Sequence, residues 1–335
     1  MDMKKPVIGF VYDLRSEAIA AGLSPEEAAE FDSGETVAAI EAALRANGYE
    51  VDLIGNGKTL CRRLADGDRW DLVFNIAEGY GGLCRESQVP ALLEMFQVPG
   101  TFSDPLVCGL TLDKEMAKIV VRGAGLLTPD SLVVRTPDDI DRLTLRYPLF
   151  AKPLAEGTGK GIDGQSRIDD HAALVRVCGG LLARFHQQPV LLEEYLPGRE
   201  FTTSILGTGP DARVLGTLEV RLRPNAPDGD YSFVMKEECD KYVDYLFLTD
   251  DPLRPAIEQL ALASYNALGC RDAGRVDIRL DAAGRPAFME VNPLPGLHPF
   301  HSDLPMTATA CGMEYNTLIE IIVRSAWQRH NRHDW

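Results

Sequence analysis

No stretch of this chain approaches the roughly 18 apolar residues that a membrane-crossing helix requires. The opening Lys4-Lys5-Pro6 runs straight into Val7-Ile8-Gly9-Phe10-Val11, without the longer apolar core of a secretory signal. A cytoplasmic protein is the expectation. Cysteine is sparse and irregular: the 7 residues (61, 84, 108, 178, 239, 270 and 311) are odd in number and show no C-x-x-C spacing. That argues against a disulfide framework and a structural zinc site, so they read as reduced thiols. Positive charge is the scarcest feature. Lys and Arg total 34 against 50 Asp and Glu, a formal net charge of -16. Nonspecific binding of nucleic acid needs a basic surface, so nucleic acid is not an expected partner, and neither is a membrane. An anionic small molecule stays open, because charges more than about 10 Å away are screened and a few local lysines can prevail.

What remains is an ordinary globular composition, 45% hydrophobic and 25% charged over 335 residues, enough for two or three structural units. Residues 7–11, 51–54 and 72–76 read as short buried strands, and Gly34 to Arg45 carries Val37, Ile40, Ala43 and Leu44 at helical spacing. Strands alternating with helices predict a parallel sheet, so residues 1–105 read as a small doubly wound domain. Residues 13–33 are long for a connection, and an inserted helix is expected there. From about 106 the pattern becomes α+β. Helices are predicted at Thr111 to Arg122, Asp169 to His186, 255–268 and 314–328. Strands are predicted at 131–134, 149–152, 190–193, 201–206, 214–222, 275–280 and 286–291. The units drawn from this reading are 1–105, 106–190 and 191–335.

The most informative segment runs from Arg275 to Asn292. Two strands flank the turn Ala282-Ala283-Gly284-Arg285, with Gly284 suited to a left-handed conformation. Side chains alternate along a strand, so Val276, Ile278 and Leu280 share the core face with Ala287, Met289 and Val291. Arg275, Asp277 and Arg279 face the other way, with Phe288, Glu290 and Asn292. The turn length sets Asp277 across from Glu290 and Arg275 across from Asn292. Directly opposed carboxylates destabilise a sheet unless a cation sits between them, and Mg²⁺ favours such oxygen donors. Taken alone, these residues equally allow an exposed hairpin with a charged outer face.

A second segment, Lys152-Pro-Leu-Ala-Glu-Gly157-Thr158-Gly159-Lys160-Gly161, follows a strand. Its glycines let backbone N–H groups point at an anion, with Thr158 and Lys160 in reach. It is not a P-loop, because Leu154 and Gly161 break that pattern. Gly79-Tyr-Gly-Gly82 likewise fails as a dinucleotide fingerprint at Cys84. A glycine-rich turn without a ligand remains the alternative.

Together these segments resemble the D-alanine–D-alanine ligase branch of the ATP-grasp superfamily, from roughly Phe74 to Ile322. The resemblance rests on blocks in the family's order. They are Gly79 to Gly82 with Glu86, Gln88, Leu93 and Glu94; Pro99 to Ser103; Leu112-Asp-Lys114 with Lys118; Lys152 to Gly161; Glu193 to Thr202; and Glu290-Val-Asn-Pro-Leu-Pro-Gly296. It implies an ATP-grasp fold, in which a doubly wound domain precedes two α+β subdomains. It also implies ATP-dependent joining of a carboxylate to an amine through an acyl-phosphate, with two Mg²⁺ ions that Mn²⁺ can replace.

Carried over position by position, Lys114, Lys152 and Lys236 resemble the lysines that hold the phosphates. Gly157, Gly159 and Gly161, with Thr158, are similar to the lid over them. Glu193 resembles the acid at the adenine amino group, beside the backbone of Glu194, Tyr195 and Leu196, and Glu200 resembles the acid at the ribose. Asp277, Glu290 and Asn292 match the metal ligands, and Arg275 and the Gly296 amide match the groups that stabilise the tetrahedral intermediate. The partners implied are small amino acids or amines and a second copy of the chain.

The departures fall where substrates would bind. Glu237 stands where the family commonly has tyrosine. The stretch Gly296-Leu-His-Pro-Phe-His-Ser302 is one residue longer than usual, and Asp303 replaces an apolar residue after the serine. His298 and His301 suit substrate contacts, an ordinary loop or, with a third ligand, a metal. The acid that meets the first amino group has no fixed place, with Glu30 and Glu35 as candidates. A different amino-acid or amine pair is therefore one alternative, and a non-catalytic ATP-binding regulatory protein on the same fold is another.

Overall fold

The computed structural model describes residues 5–226 and 238–332; Lys236 and Glu237 lie outside the described residues. The first layer runs β1 (Val7–Val11), α1 (Arg15–Ala20), α2 (Gly34–Ala46), β2 (Glu50–Gly55), α3 (Gly57–Ala65), β3 (Leu72–Asn75) and α4 (Gln88–Met95). The strands form a parallel sheet in the order β2-β1-β3. Its two faces serve two cores. Ile8, Phe10, Leu72 and Phe74 pack with α2, while Val11, Ile54 and Val73 pack with Leu60, Leu64, Val89 and Leu93. Strands apolar on both faces are what a sheet covered by helices on both sides demands. The expected helix within 13–33 is α1.

Next come α5 (Pro105–Leu112) and α6 (Lys114–Gly123). The sequence predicts one helix across Thr111 to Arg122, and the chain instead breaks at Asp113. That residue, at φ -81 and ψ 98, ends α5 and caps α6, its carboxylate accepting from Met116 N. Aspartate competes for backbone N–H groups and so favours caps over helix interiors, whereas the apolar pattern runs through the break unchanged.

The second sheet is antiparallel, with β4 (Ser131–Val134), β5 (Leu149–Pro153), β6 (Arg167–Ile168) and β7 (Val190–Glu194) in the order β4-β7-β5-β6, backed by α7 (His171–Arg184). The third holds β8 (Glu200–Leu206), β9 (Arg213–Leu222), β10 (Val243–Phe247), β11 (Ala273–Leu280) and β12 (Pro286–Asn292), ordered β10-β9-β8-β11-β12. Between these strands lie α8 (Cys239–Tyr242) and α9 (Arg254–Leu268); α10 (Asp303–Ala310) and α11 (Tyr315–Arg332) follow. Helix α9 covers one face of this sheet, and Ala117 and Val121 of α6 join the same core. Helix α11 returns to the first sheet, where Leu318, Ile322 and Val323 pack with Ile8 and Ile40.

The predicted register holds at the head of the hairpin, with Arg275 opposite Asn292 and Asp277 opposite Glu290. A β-bulge follows. Ile278 pairs with Phe288, leaving Met289 as the extra residue. The inserted residue shifts the strand's parity as far as the turn, so the expected facing of Ala287, Phe288 and Met289 is reversed. Phe288 is fully buried in the core beneath the sheet, and Met289 turns to the upper face beside Lys152 and Glu193.

Candidate functional site

The three sheets meet around a cavity of about 250 Å³. Its floor is the hairpin: Arg275 and Asp277 from β11, Glu290 and Asn292 from β12, with Glu200 and Thr202 from the neighbouring β8. A smaller pocket of about 50 Å³ shares Glu200, Asp277 and Glu290 with it, and is lined by Phe150, Lys152, Glu193 to Leu196, Arg279 and Met289. Together the two hold most of the residues singled out from sequence.

A tier of lysines stands over the carboxylates. Because α6 starts afresh at Asp113, Lys114 and Lys118 share its buried face. Lys114 and Lys152 lie 3.8 and 3.7 Å from Glu290, close enough to attract it without a tight pair. Behind them Glu193, 4% exposed, is gripped from both sides, with Lys118 and Lys152 each at 2.9 Å. Burial by itself would raise the Glu193 carboxyl, but the two lysines hold it below the usual carboxylate range. Burial lowers Lys114 and Lys118, whereas Lys152 is raised against its burial by Glu193 and Glu290. Lys118, fully buried, belongs to this network, although the sequence reading gave it no role. The available signal was a lysine on the apolar stripe of a helix, one turn after Lys114.

The glycine loop is latched from the first layer. Glu30 accepts from Gly157 N at 2.6 Å, pairs with Lys160 at 3.1 Å, and takes both Arg85 Nη2 contacts at 3.0 Å. Burial opposes its charge, but Arg85 and Lys160 keep the Glu30 carboxyl low. Lys160 also pairs with Glu156, and Lys114 Nζ donates to the Glu156 carbonyl at 2.5 Å. Thr158, at φ 50, and Gly159 and Gly161, at φ 72 and 74, adopt the left-handed backbone that turns this loop. A Cβ on Gly157 would stand 2.7 Å from Glu30 Oε1, so the latch needs glycine there.

Along the Gly296–Ser302 stretch, Ser302 caps α10 by position, and its Oγ accepts from His298 N at 3.0 Å. Gly296 lies so close that a Cβ would meet that Oγ at 2.7 Å. Asp303 does not join the histidines; it binds Arg275 at 2.6 Å, and Arg275 also reaches Asp277 at 3.1 Å. His298 lies against His301, the rings tilted with 4.7 Å between their centres, and reaches Glu35 at 3.6 Å. His301 instead gathers with Cys239 and Asp240, their donor atoms within 4.8 Å of one another. In the smaller pocket Tyr195 lies under the Arg279 guanidinium, which is 3.8 Å from Glu200. Two further carboxylates line the cavity, Glu78 and Glu86, to which the sequence reading assigned no chemistry.

Residues 127–324 match the family model described as D-ala D-ala ligase C-terminus. The chain is 33% identical over 342 residues to a D-alanine–D-alanine ligase of Marinomonas sp. (strain MWYL1), covering 98% of each chain. In structure it is similar to a D-alanine–D-alanine ligase of Bacillus anthracis complexed with ATP, with a TM-score of 0.75, 24% identity, and coverage of 99% of this chain and 100% of that one. It is also similar to the VanG D-Ala:D-Ser ligase of Enterococcus faecalis, with a TM-score of 0.74 at 20% identity, covering 96% and 100%. No described helix is long and apolar enough to cross a membrane.

Proposed function

We propose, from the premise that the chain belongs to the D-alanine–D-alanine ligase family and is an ATP-dependent enzyme forming a dipeptide-type bond, that the cavity joins two amino acids of which at least one is not D-alanine. The observation that carries the catalytic half of this reading is the hairpin register, which sets Asp277 opposite Glu290 beneath Lys114 and Lys152. Asp277, Glu290 and Asn292 offer three hard oxygen donors on adjacent strands, a set that suits Mg²⁺, with Mn²⁺ as substitute. Bound there, the metal would neutralise charge on the phosphates of ATP.

The chain's own groups supply the rest. Lys114 and Lys152 face the space where phosphates would lie, and Lys236 belongs to the same reading but lies outside the described residues. Glu193 keeps accepting capacity beyond its two lysines, since each carboxylate oxygen takes more than one donor, and that capacity suits the adenine amino group. Glu200 suits the ribose hydroxyls. The first substrate's carboxylate attacks the γ-phosphorus, ADP leaves, and the second substrate's amine displaces phosphate from the acyl-phosphate. Arg275 and the Gly296 N–H suit the oxyanion that forms in that second step, donors of a kind typically worth about 10²–10³ in rate each. The latched loop Glu156–Gly161 keeps water from the hydrolysable intermediate.

The longer Gly296–Ser302 stretch and His301, which lines the cavity, support a second-substrate pocket altered from one for D-alanine. A phosphate-release screen of ATP with pairs of D- and L-amino acids, products identified by mass, tests the reading. ATP should greatly exceed GTP as donor, because guanine presents a carbonyl where adenine presents its amino group. Efficient synthesis from D-alanine alone, unmatched by any other pair, would return the substrate assignment to two D-alanines.

A further inference from the structure

The metal donors on the hairpin are all oxygens. A second group of metal-ligating side chains, at the edge of the same cavity, has a different chemistry. Cys239 and Asp240 open α8, and His301 belongs to the Gly296–Ser302 stretch; their thiol, carboxylate and imidazole donor atoms all lie within 4.8 Å of one another. Ligands around one tetrahedral ion stand roughly 3.3–3.6 Å apart, given bonds of about 2.0–2.3 Å, so small side-chain turns close the cluster. The backbone beneath it is anchored. Arg223 Nη1 donates to the Asp240 carbonyl at 2.6 Å, and Arg223 N donates to that of Tyr242 at 2.8 Å. Neighbouring cations are engaged elsewhere, Lys241 with Glu238 at 3.1 Å and His298 with Glu35. Among the described residues, the ion pair that Asp240 makes is with His301, at 3.9 Å. The Asp240 and His301 side chains are 80% and 52% exposed, so an ion has a path from solvent. No sequence spacing reveals this group, because its ligands come from distant segments.

We propose that Cys239, Asp240 and His301 form a site for a thiophilic divalent ion of the Zn²⁺ class, separate from the Mg²⁺ ligands on the hairpin. Donor chemistry selects the ion. A thiolate and an imidazole suit Zn²⁺ and Co²⁺, whereas Mg²⁺ takes oxygen donors and gives up its waters reluctantly. Three protein ligands leave a tetrahedral ion one open position, which distinguishes such a site from the closed structural kind. Cys239 and His301 both line the cavity, so the ion stands at its edge and joins α8 to the Gly296–Ser302 stretch. Its binding narrows the pocket for the second substrate. That consequence rests on the ligase reading; the metal site itself does not.

Titration of the full chain with Co²⁺ in excess Mg²⁺, followed by absorption, tests the site. The expected result is one ion per chain, with the visible bands of tetrahedral cobalt and a thiolate-to-cobalt charge-transfer band in the near ultraviolet, all removed by Zn²⁺. Cys239→Ser should erase the charge-transfer band. His301→Gln and Asp240→Asn should each weaken binding by about tenfold or more, the loss that even removal of an outer-shell partner brings. Replacing the exposed Cys61, Cys84 and Cys311 with serine should leave the spectrum unchanged. Unchanged affinity for a nonhydrolysable ATP analogue shows that the variants remain folded. A missing charge-transfer band, a band that survives Cys239→Ser, affinity indifferent to both other substitutions, or displacement by Mg²⁺ as readily as by Zn²⁺ overturns the site. Amino-acid-dependent phosphate release is measured in parallel. Zn²⁺ that fills the site should raise the KM for the second amino acid several-fold and leave the KM for ATP unchanged, and Asp240→Asn should abolish that effect. Bound cobalt beside an unmoved KM would overturn the effect on the second substrate. Bound cobalt without any amino-acid-dependent phosphate release would sink the ligase reading alone.

Discussion

Arg275 Nη1 stands 2.6 Å from Asp303 Oδ2, so the guanidinium on β11 is tied to the first turn of α10 while its other arm reaches Asp277 at 3.1 Å. The carboxylate that the sequence suggested for substrate is already engaged. Asp303 orients the one arginine proposed to meet the developing oxyanion, and a small misplacement of such a group is expensive in rate. Asp303→Asn should lower kcat about tenfold or more and leave the KM for ATP within twofold. Steady-state kinetics check this; a raised KM for ATP with unchanged kcat would contradict the positioning role.

Glu290 sits between opposed carboxylate and lysines. Glu290→Gln exchanges an anionic metal donor for a neutral amide and should reduce amino-acid-dependent phosphate release by about 10²-fold or more, since a bound metal contributes several kcal/mol to charge stabilisation. The folded state loses repulsion from Asp277 and attraction from Lys114 and Lys152 together, so stability should move by only about 1 kcal/mol. Thermal unfolding alongside turnover separates the two effects. Near wild-type turnover in Mg²⁺ would falsify the ligand assignment.

Lys118 shows no side-chain exposure and its ion pair with Glu193 is one of two that acid makes. Lys118→Met leaves Glu193 buried with Lys152 alone. The expected cost is about 1–3 kcal/mol in urea unfolding, below the full cost of an abandoned buried charge because one partner remains. Affinity for ATP should fall as well, since Glu193 and Lys152 lose their fixed positions. An unchanged unfolding midpoint would mean that the pair contributes nothing net.

Asp32 gives the stability curve a pH dependence. Burial, then the charge of Asp13, pushes its carboxyl from 3.8 up to about 8. A carboxyl raised in the folded state keeps a proton that the unfolded chain releases near pH 4. Its contribution is therefore complete below about pH 4 and is lost as pH rises towards about 8. Asp32→Asn should flatten that slope, leaving the variant more stable than wild type at pH 8 by about 1–3 kcal/mol, with little gain at pH 4. Urea unfolding at pH 4, 6 and 8 provides the measurement; parallel curves for the two proteins would refute the assignment.

The latch between Glu30 and the glycine loop can be opened without touching a charge. Gly157→Ala places a Cβ 2.7 Å from Glu30 Oε1 and forces the two apart. Limited proteolysis should then cut faster within residues 155–162, and the ATP hydrolysed per peptide formed should rise as water enters. Unchanged cleavage and coupling would show that the loop closes without Glu30.

Much of this molecule is determined by the sequence alone. The apolar runs at 7–11 and 72–75 require helices on both sides of a parallel sheet, and alternation from Arg275 to Leu280, with the turn at Gly284, is sufficient to specify the hairpin, although the turn pairs Leu280 with Pro286 and only the bulge at Met289 then sets Glu290 opposite Asp277. These are local rules, set by strand parity and turn length. Tertiary structure decided what no local rule contains. The bulge at Met289 exchanges it with Phe288 because the core under β12 takes the aromatic ring. Asp113, by contrast, ends its helix through a local capping preference that the apolar pattern masks, and so turns Lys114 and Lys118 inward. Glu30, Arg85 and Lys160 are distant in sequence and meet only because the first layer docks on the glycine loop. Whether Asp303 faces substrate or Arg275 depends on which surfaces the docked layers bring within about 4 Å, where an ion pair becomes effective.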